Sequence, residues 1–284
     1  MALFFWSTTA IANKIAVGFM DGLSAGMLRS LLAGILAISI VLAFKYPFPR
    51  IMSDRVLLAV SGISSFAVWP VLMSIGIEHT SVGHAALIMA LIPVFTVLFA
   101  CVVEQKLPKL GWWFGACLAL CATGVLIFVK NDGYSSFALN ANIQGDLYVL
   151  IGGMVCAVGY VAGGNLSPKL GTAPTTFWGL SIALLVLVPL YLLFSTNIHW
   201  PDIPLQGWLA ILWMTLLSSL LGYALWFFAL GYGGISRIGS LLLIMPVITL
   251  LLAALVLHEA ITMFMLVICL CIVLGTYYAQ KHAH

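Results

Sequence analysis

The chain alternates between long apolar stretches and short breaks that contain polar, glycine or proline residues. Most stretches hold about 20 mostly apolar residues, which is the number that a helix needs to cross the hydrocarbon core of a bilayer. This pattern predicts an all-α integral membrane protein with about ten transmembrane helices and short connections. The predicted spans cover residues 3–20, 24–44, 55–77, 81–103, 110–129, 146–164, 174–194, 206–230, 236–257 and 261–279.

The longest polar gap lies near the middle of the chain, where the sequence from Lys130 to Gly145 is rich in glycine, asparagine and serine. It predicts a division into a first half, residues 1–130, and a second half, residues 146–284. Residues 131–145 are then an external linker. Each half carries five of the predicted spans, so no separate soluble domain is expected.

The two halves contain similar segments in their fourth predicted spans. Pro93 begins Pro-Val-Phe-Thr-Val-Leu and Pro246 begins Pro-Val-Ile-Thr-Leu-Leu, which agree at four of six positions. Because five spans is an odd number, the second half enters from the opposite face, as in the inverted-topology repeats of many secondary transporters. Proline interrupts helical hydrogen bonding. Pro93 and Pro246 are therefore predicted hinges.

The basic residues of the predicted loops fall almost entirely on one side of the membrane. Lysine and arginine in short loops favour the cytoplasmic side. This rule predicts that both termini are cytoplasmic in a multi-pass protein of a bacterial inner membrane. The cytoplasmic segments then hold Lys45, Arg50, Arg55, Lys106, Lys109, Lys169, Arg237 and Lys281, and the external loops hold Lys130.

Composition excludes several classes of function. Of the 284 residues, 63% are hydrophobic and 7% are charged, against roughly a quarter charged in soluble domains. The net charge of +3 includes no basic run, which argues against nucleic acid as a partner. The six cysteines all lie in apolar stretches, where cysteine behaves as a small hydrophobe, so neither a metal nor another cofactor is expected. An intramembrane enzyme would need a nucleophile with a base, paired aspartates or a metal cluster, and no such motif is present.

Two cations fall inside predicted spans and are candidate substrate ligands. Lys14 lies about two-thirds along the first span, with Asn13 beside it, and Arg29 lies near the start of the second. A charge inside the bilayer is costly and usually functional. As alternatives, Lys14 extends outward to the interface, and Arg29 caps a neighbouring helix end. No carboxylate is predicted deep in a span, so the cavity is expected to be positive on its outer half and suited to a carboxylate or phosphate.

The remaining candidates are one histidine and several aromatic residues. His84 lies near the start of the fourth span, and proton coupling would have to use His84 or no residue at all. A single histidine without a titrating partner fits a satisfied or interfacial role better than a proton relay. Aromatic rings can enclose a substrate while their polar edges stay paired, although packing or lipid contact is an equal alternative. The aromatic residues predicted near the cavity are Trp69, Tyr160, Trp178, Tyr223 and Trp226.

Several segments resemble the EamA-type carriers of the drug/metabolite transporter superfamily. They are Trp6-Ser7 with Lys14, the segment 27–33, the two proline segments, and the stretch from Pro246 through Glu259 to Gly275. The resemblance implies a ten-helix, five-plus-five inverted repeat with a central cavity. Carriers of this kind move amino acids, nucleotide-related metabolites, choline-like compounds or toxic cations.

The first repeat departs from this pattern at one place. Glu104 follows Pro93 two residues sooner than Glu259 follows Pro246. We therefore expect a locally irregular end to the fourth span.

These observations together predict a secondary transporter and not an enzyme. Its expected substrate is a small polar metabolite, amino-acid-like or another carboxylate or zwitterion, and efflux by alternating access is the expected direction and mechanism. The expected partners are that small-molecule substrate and the lipid bilayer. A multidrug or organic-cation efflux carrier is one alternative, and a non-transporting structural membrane subunit is another.

Overall fold

The computed structural model describes residues 1–128, 142–194, 202–223, 225 and 244–282. Within these ranges the chain is almost entirely helical and contains no β-strand, which confirms the predicted all-α class. The helices are α1 Ala2–Ala16, α2 Gly22–Ala43, α3 Met52–His79, α4 Val82–Glu104, α5 Leu110–Phe128, α6 Ile143–Leu170, α7 Thr172–Phe194, α8 Leu205–Leu221, α9 Met245–Leu257 and α10 Met263–Lys281.

Seven of the described helices, α2 to α7 and α10, are long and apolar enough to cross a membrane, and α8 and α9 are shorter apolar helices. The protein is therefore an integral membrane protein. The predicted linker lies mostly outside the described residues, as do parts of the predicted spans 206–230 and 236–257.

Short polar side chains fix where several of these helices begin. Asp21 accepts a hydrogen bond from the Ser24 backbone N–H at 2.8 Å, at the start of α2. Ser81 accepts one from the His84 N–H at 3.1 Å, at the start of α4. Such caps satisfy backbone donors that have no partner inside the helix.

The two proline segments have the same local structure. Pro93 is the second residue of Ile92–Glu104, which follows a turn that interrupts α4, and Pro246 is the second residue of α9. Each segment is 13 residues long. Each ends on a residue in the left-handed region, Gln105 at φ 53° and His258 at φ 54°. The irregular end expected from the early glutamate was therefore wrong, because both segments end in the same kind of cap.

Two helices contain a π-helical segment, at Ile63–Val68 in α3 and at Trp213–Leu221 in α8. Each segment includes a serine pair, Ser64-Ser65 in the first and Ser218-Ser219 in the second. A π-helical turn widens the helix, and such turns are frequent at functional sites. Each half of the sequence thus contains a serine pair followed by an aromatic residue, Trp69 or Tyr223, but the π-helical geometry cannot be read from it.

The ends of the helices lie at two opposite faces of the bundle. On the first, called the Lys14 face, the Lys14 ammonium donates to the Thr80 carbonyl and the Gly22 N–H donates to Glu78, both at 2.7 Å. On the opposite face, called the Lys169 face, the Lys169 ammonium pairs with Asp54 at 2.8 Å. Apart from Lys14 and Arg29, every described lysine and arginine lies toward the Lys169 face, at Lys45, Arg50, Arg55, Lys106, Lys109, Lys169 and Lys281.

Helices α5 and α10 approach so closely that backbone touches backbone. A Cβ atom added at Gly115 would lie 2.5 Å from the backbone nitrogen of Ala279 and 2.5 Å from the Gly275 carbonyl oxygen. Neither neighbour is a flexible side chain. Small residues allow such close contacts between membrane helices.

We expect the Gly115→Ala variant to be less stable than the natural protein, with a lower melting temperature in detergent. A new methyl group at this contact must push the two helices apart, which costs about 1–3 kcal/mol for overpacking. The matched control is Gly124→Ala in the same helix, because a Cβ at Gly124 meets nothing within 4 Å. Equal melting temperatures for the two variants would contradict the prediction.

Candidate functional site

Arg29 lies inside the bundle, on α2, and its residue is only 6% exposed. Its Nη1 group contacts the Met214 sulfur at 3.4 Å, and its Nε has no hydrogen-bond partner. Among the described residues no carboxylate lies within ion-pair distance of this guanidinium. An uncompensated charge in a low-dielectric interior is costly. The site therefore favours an anionic group as a partner.

The π-helical segment of α8 holds the helices around Arg29 in place. The Thr215 hydroxyl donates to the Arg29 carbonyl at 3.3 Å. From α1, the Trp6 indole N–H donates to the Ser218 carbonyl at 3.0 Å, and the Thr9 hydroxyl donates to the Ser218 hydroxyl at 2.8 Å. Helices α1 and α2 thus meet the same short segment of α8.

Aromatic side chains adjoin this cation. The Tyr223 ring makes edge-to-face contacts with Trp6, at 5.2 Å between centroids, and with Phe66, at 5.4 Å. Tyr223 also interacts electrostatically with Arg29 and lies within hydrogen-bonding range of Tyr160. Edge-to-face contacts hold rings in defined positions. We call Trp6, Arg29, Ser65, Tyr160, Met214 and Tyr223 the Arg29 cluster.

Tyr160 connects the cluster to the serine pair of α3. Its hydroxyl lies near the Cys156 thiol, which in turn lies near Ser65. The Ser65 hydroxyl has no hydrogen-bond partner of its own. Tyr160 is nevertheless 41% exposed. A hydroxyl held among polar neighbours on a partly accessible side chain is available to a ligand.

Asn13 adds an unusual polar group to α1. It is 0% exposed, and neither its side-chain oxygen nor its nitrogen has a hydrogen-bond partner in the described part of the chain. Residues seven apart lie on one side of an α-helix, so Asn13 lies on the same side of α1 as Trp6. Buried amides are normally paired. The Asn13 side chain therefore offers an NH₂ group as a donor and a carbonyl oxygen as an acceptor, to a ligand or to water.

Lys14 caps the end of a neighbouring helix, which is the role that the sequence had suggested as an alternative for Arg29. Its ammonium donates to the carbonyl oxygens of Ile77 and Thr80, both at 2.7 Å. These groups end α3, where the helix dipole favours a cation. Glu78 and Glu259 also lie within electrostatic range of Lys14. Both acidic residues lie at or just beyond helix ends, where the sequence analysis had placed them.

Two predicted aromatic residues lie away from the Arg29 cluster. Trp69 is buried between α3 and α6, where its ring would obstruct a side chain at Gly152. Trp178 packs edge-to-face on Phe48 at 4.8 Å and donates to the Tyr46 carbonyl near the Lys169 face. Trp226 lies outside the described residues. Of the predicted aromatic residues, the structure thus brings Tyr160 and Tyr223 together with Arg29.

His84 has a titrating partner, contrary to expectation. Its Nδ1 lies 2.9 Å from a carboxylate oxygen of Asp146, at the start of α6. The other Asp146 oxygen accepts a hydrogen bond from the Thr80 hydroxyl at 2.5 Å. Asp146 lies at a helix end, as predicted, but it is buried. The two residues are 62 positions apart, so their pairing depends on the fold.

Three residues of the Arg29 cluster, Trp6, Ser65 and Met214, were not predicted as site residues from the sequence. Trp6 was visible only in the resemblance, and Ser65 only as part of a serine pair. Nothing in the pattern marked Met214. Among the described residues no group of three or more histidine, cysteine, aspartate or glutamate residues is placed to hold a metal ion.

An apolar helical bundle is consistent with a membrane transporter, and so is a buried cation that has no carboxylate partner among the described residues and lies beside aromatic rings. The chain belongs to the EamA-like transporter family, whose model matches residues 1–128 and 143–279. This match confirms the resemblance seen in the sequence.

Individual relatives agree with this family assignment. An uncharacterized transporter of Bacillus subtilis, YdeK, is 28% identical over 273 residues, covering 96% of this chain and 92% of its own. The uncharacterized inner membrane transporter YedA of Escherichia coli is 27% identical over 220 residues, covering 76% and 67%. A solved crystal structure aligns with a TM-score of 0.63 at 20% identity, over 99% of this chain and 94% of that one. That likeness supports the fold alone.

Proposed function

We propose that the protein is a secondary transporter that exports a small polar metabolite with a carboxylate group, amino-acid-like or otherwise zwitterionic, across an inner membrane. The observation that carries this proposal is the buried Arg29 guanidinium, which has a free Nε and no carboxylate partner in the described residues. Arginine presents a planar fork of donors that matches a carboxylate. The substrate supplies the negative charge that no described residue provides there.

The surroundings of Arg29 fit a zwitterion better than a simple anion. The Trp6 and Tyr223 rings lie next to the cation site, and aromatic faces attract ammonium groups. Asn13 offers an unpaired amide on the same side of α1, which can accept from an ammonium or donate to a carboxylate. The cluster thus has groups for both ends of an amino-acid-like substrate.

Efflux of organic cations is the second candidate, because the same rings would bind a cation. The Arg29 guanidinium disfavours binding of an organic cation, because like charges repel strongly in a low-dielectric site. A structural subunit without transport activity is less consistent with the cluster, because nothing in such a role needs an unpaired buried charge. No catalytic role is assigned to any residue.

We further propose a ten-helix inverted repeat that works by alternating access. The shared 13-residue proline segments and the paired π-helical segments support the repeat. Pro93 and Pro246 are the proposed hinges, because each stands at the beginning of a helical segment, and a turn separates the Pro93 segment from the helix before it. Movement at both would open one face while closing the other.

The proposed orientation places the Lys169 face, and both termini, in the cytoplasm. The concentration of described lysine and arginine residues toward that face supports it, since such residues are retained on the cytoplasmic side. Lys130 and Arg237 lie outside the described residues. The name of the Escherichia coli relative, an inner membrane transporter, supports the same location.

The proposed function is tested by flux measurements on purified protein reconstituted in vesicles. Three panels are compared, consisting of amino acids and related carboxylates, the matching amides or esters without a carboxylate, and organic cations. We expect counterflow of at least one compound from the first panel and weaker transport of its carboxylate-free analogue. Preferential transport of organic cations, or no transport of any panel by well-folded protein, would contradict the proposal.

A further inference from the structure

The connection between α3 and α4, residues 79–84, is where the two halves of the chain are tied together on the Lys14 face. The Asn142 N–H, near the end of the predicted linker and just before α6, donates to the His79 carbonyl at 3.0 Å. The Glu259 carboxylate accepts hydrogen bonds from the Val82 N–H at 2.9 Å and from the Gly83 N–H at 3.0 Å. Any opening between the halves at this face must break these contacts.

The bond between His84 and Asp146 is the part of this connection that joins a histidine to a carboxylate. The Asp146 side chain is 2% exposed, whereas that of His84 is 19% exposed. Because an ionised carboxylate only accepts hydrogen bonds, neutral His84 carries its hydrogen on Nδ1 and leaves Nε2 to take up a proton. Histidine is the side chain that ordinarily titrates between pH 5 and pH 8.

We propose that His84 and Asp146 form a proton-operated latch, which holds the Lys14 face closed when His84 is protonated. A proton from water adds to Nε2, and the neutral hydrogen bond becomes an imidazolium–carboxylate ion pair. Charge-assisted bonds of this kind are roughly twice as strong as neutral ones. Under the orientation given in the proposed function, acid outside the membrane closes the outer side of the carrier and favours the inward-open state.

Charged groups of both signs lie on this face, namely Glu78 from α3, Glu259 from the connection between α9 and α10, and Lys14 from α1. His79 and His258 lie on the same face. A histidine control is therefore needed. His79 serves this purpose, because it is exposed and lies in the same turn as Thr80.

The experiment measures the distance between two spin labels across this face as pH changes, without any substrate. The labels replace Phe19 and Met263, which are exposed on the first and second halves, through a genetically encoded keto amino acid that leaves the native cysteines intact. Between about pH 8 and about pH 5.5, the ratio of short to long distances should rise by at least about threefold. His79→Gln should keep this response, whereas His84→Gln and Asp146→Asn should lose it.

A further variant, His84→Lys, keeps a cation beside Asp146 at every pH and should show short distances throughout. It also provides a test if His84→Gln fails to fold. A pH response that survives in His84→Gln, or distances in the natural protein that do not depend on pH, would overturn the latch. Because no substrate is present, the result is independent of the flux measurements that test the transport proposal.

Discussion

Replacing Arg29 by glutamine is expected to reduce the flux of a carboxylate substrate at least about tenfold, which corresponds to roughly 1.4 kcal/mol of lost binding or transition-state free energy. Glutamine is close to arginine in length but carries no charge and cannot present two parallel donors. The measurement is the initial rate of counterflow per amount of folded protein in vesicles. Flux of a carboxylate-free analogue should fall much less, because it gains nothing from the guanidinium.

Two control variants separate this effect from a general loss of structure. Arg29→Lys keeps the charge without the planar fork, so its flux should lie between those of the natural protein and Arg29→Gln. Arg55→Gln removes an arginine on the Lys169 face, whose Nε donates to the Pro49 carbonyl at 3.1 Å, and it should transport normally. Full carboxylate flux in Arg29→Gln would show that another group recognises the anion.

Replacing Lys14 by methionine is expected to lower stability more than it changes substrate preference. The substitution leaves the carbonyl groups of Ile77 and Thr80 without the ammonium that now bonds to them at 2.7 Å. Hydrogen bonds to charged groups contribute about 1.5–3 kcal/mol each. We expect a melting temperature in detergent that is lower by about 6 °C or more, at the scale of 2–4 °C per kcal/mol for a large domain.

The matched control is Lys169→Met. Lys169 also donates from its ammonium, to Asp54 at 2.8 Å, but its side chain is 60% exposed. Exposed ion pairs contribute little to stability, so the melting temperature should hardly change. If Lys14→Met instead kept its melting temperature and lost carboxylate flux, Lys14 would be the substrate ligand that the sequence predicted.

The sequence allowed the helical class, the family and the two proline segments to be predicted, because each depends on local composition or on short identical runs. Pro93 and Pro246 each lie at the second position of a 13-residue helical segment. That placement follows from the missing N–H of proline and needs no knowledge of distant contacts.

The roles of the charged residues depend on distant partners and were not predictable in the same way. Lys14 and Arg29 are both cations near one end of a span, but only Lys14 reaches the carbonyl groups at the end of α3. Arg29 instead meets Met214, which lies 185 positions away. The same holds for His84 and Asp146, whose pairing is created only when α4 packs beside α6.

The contact of α5 with α10 also distinguishes static from moving parts of the carrier. Gly115 and Gly275 bring the two backbones together with no side chain between them, so sliding or tilting of one helix past the other would cause immediate collisions. We therefore expect the two helices to move as one rigid unit that joins the two halves of the chain. Under the alternating access proposed above, the movement would fall instead to helices α3, α4 and α8, each of which is interrupted along its length.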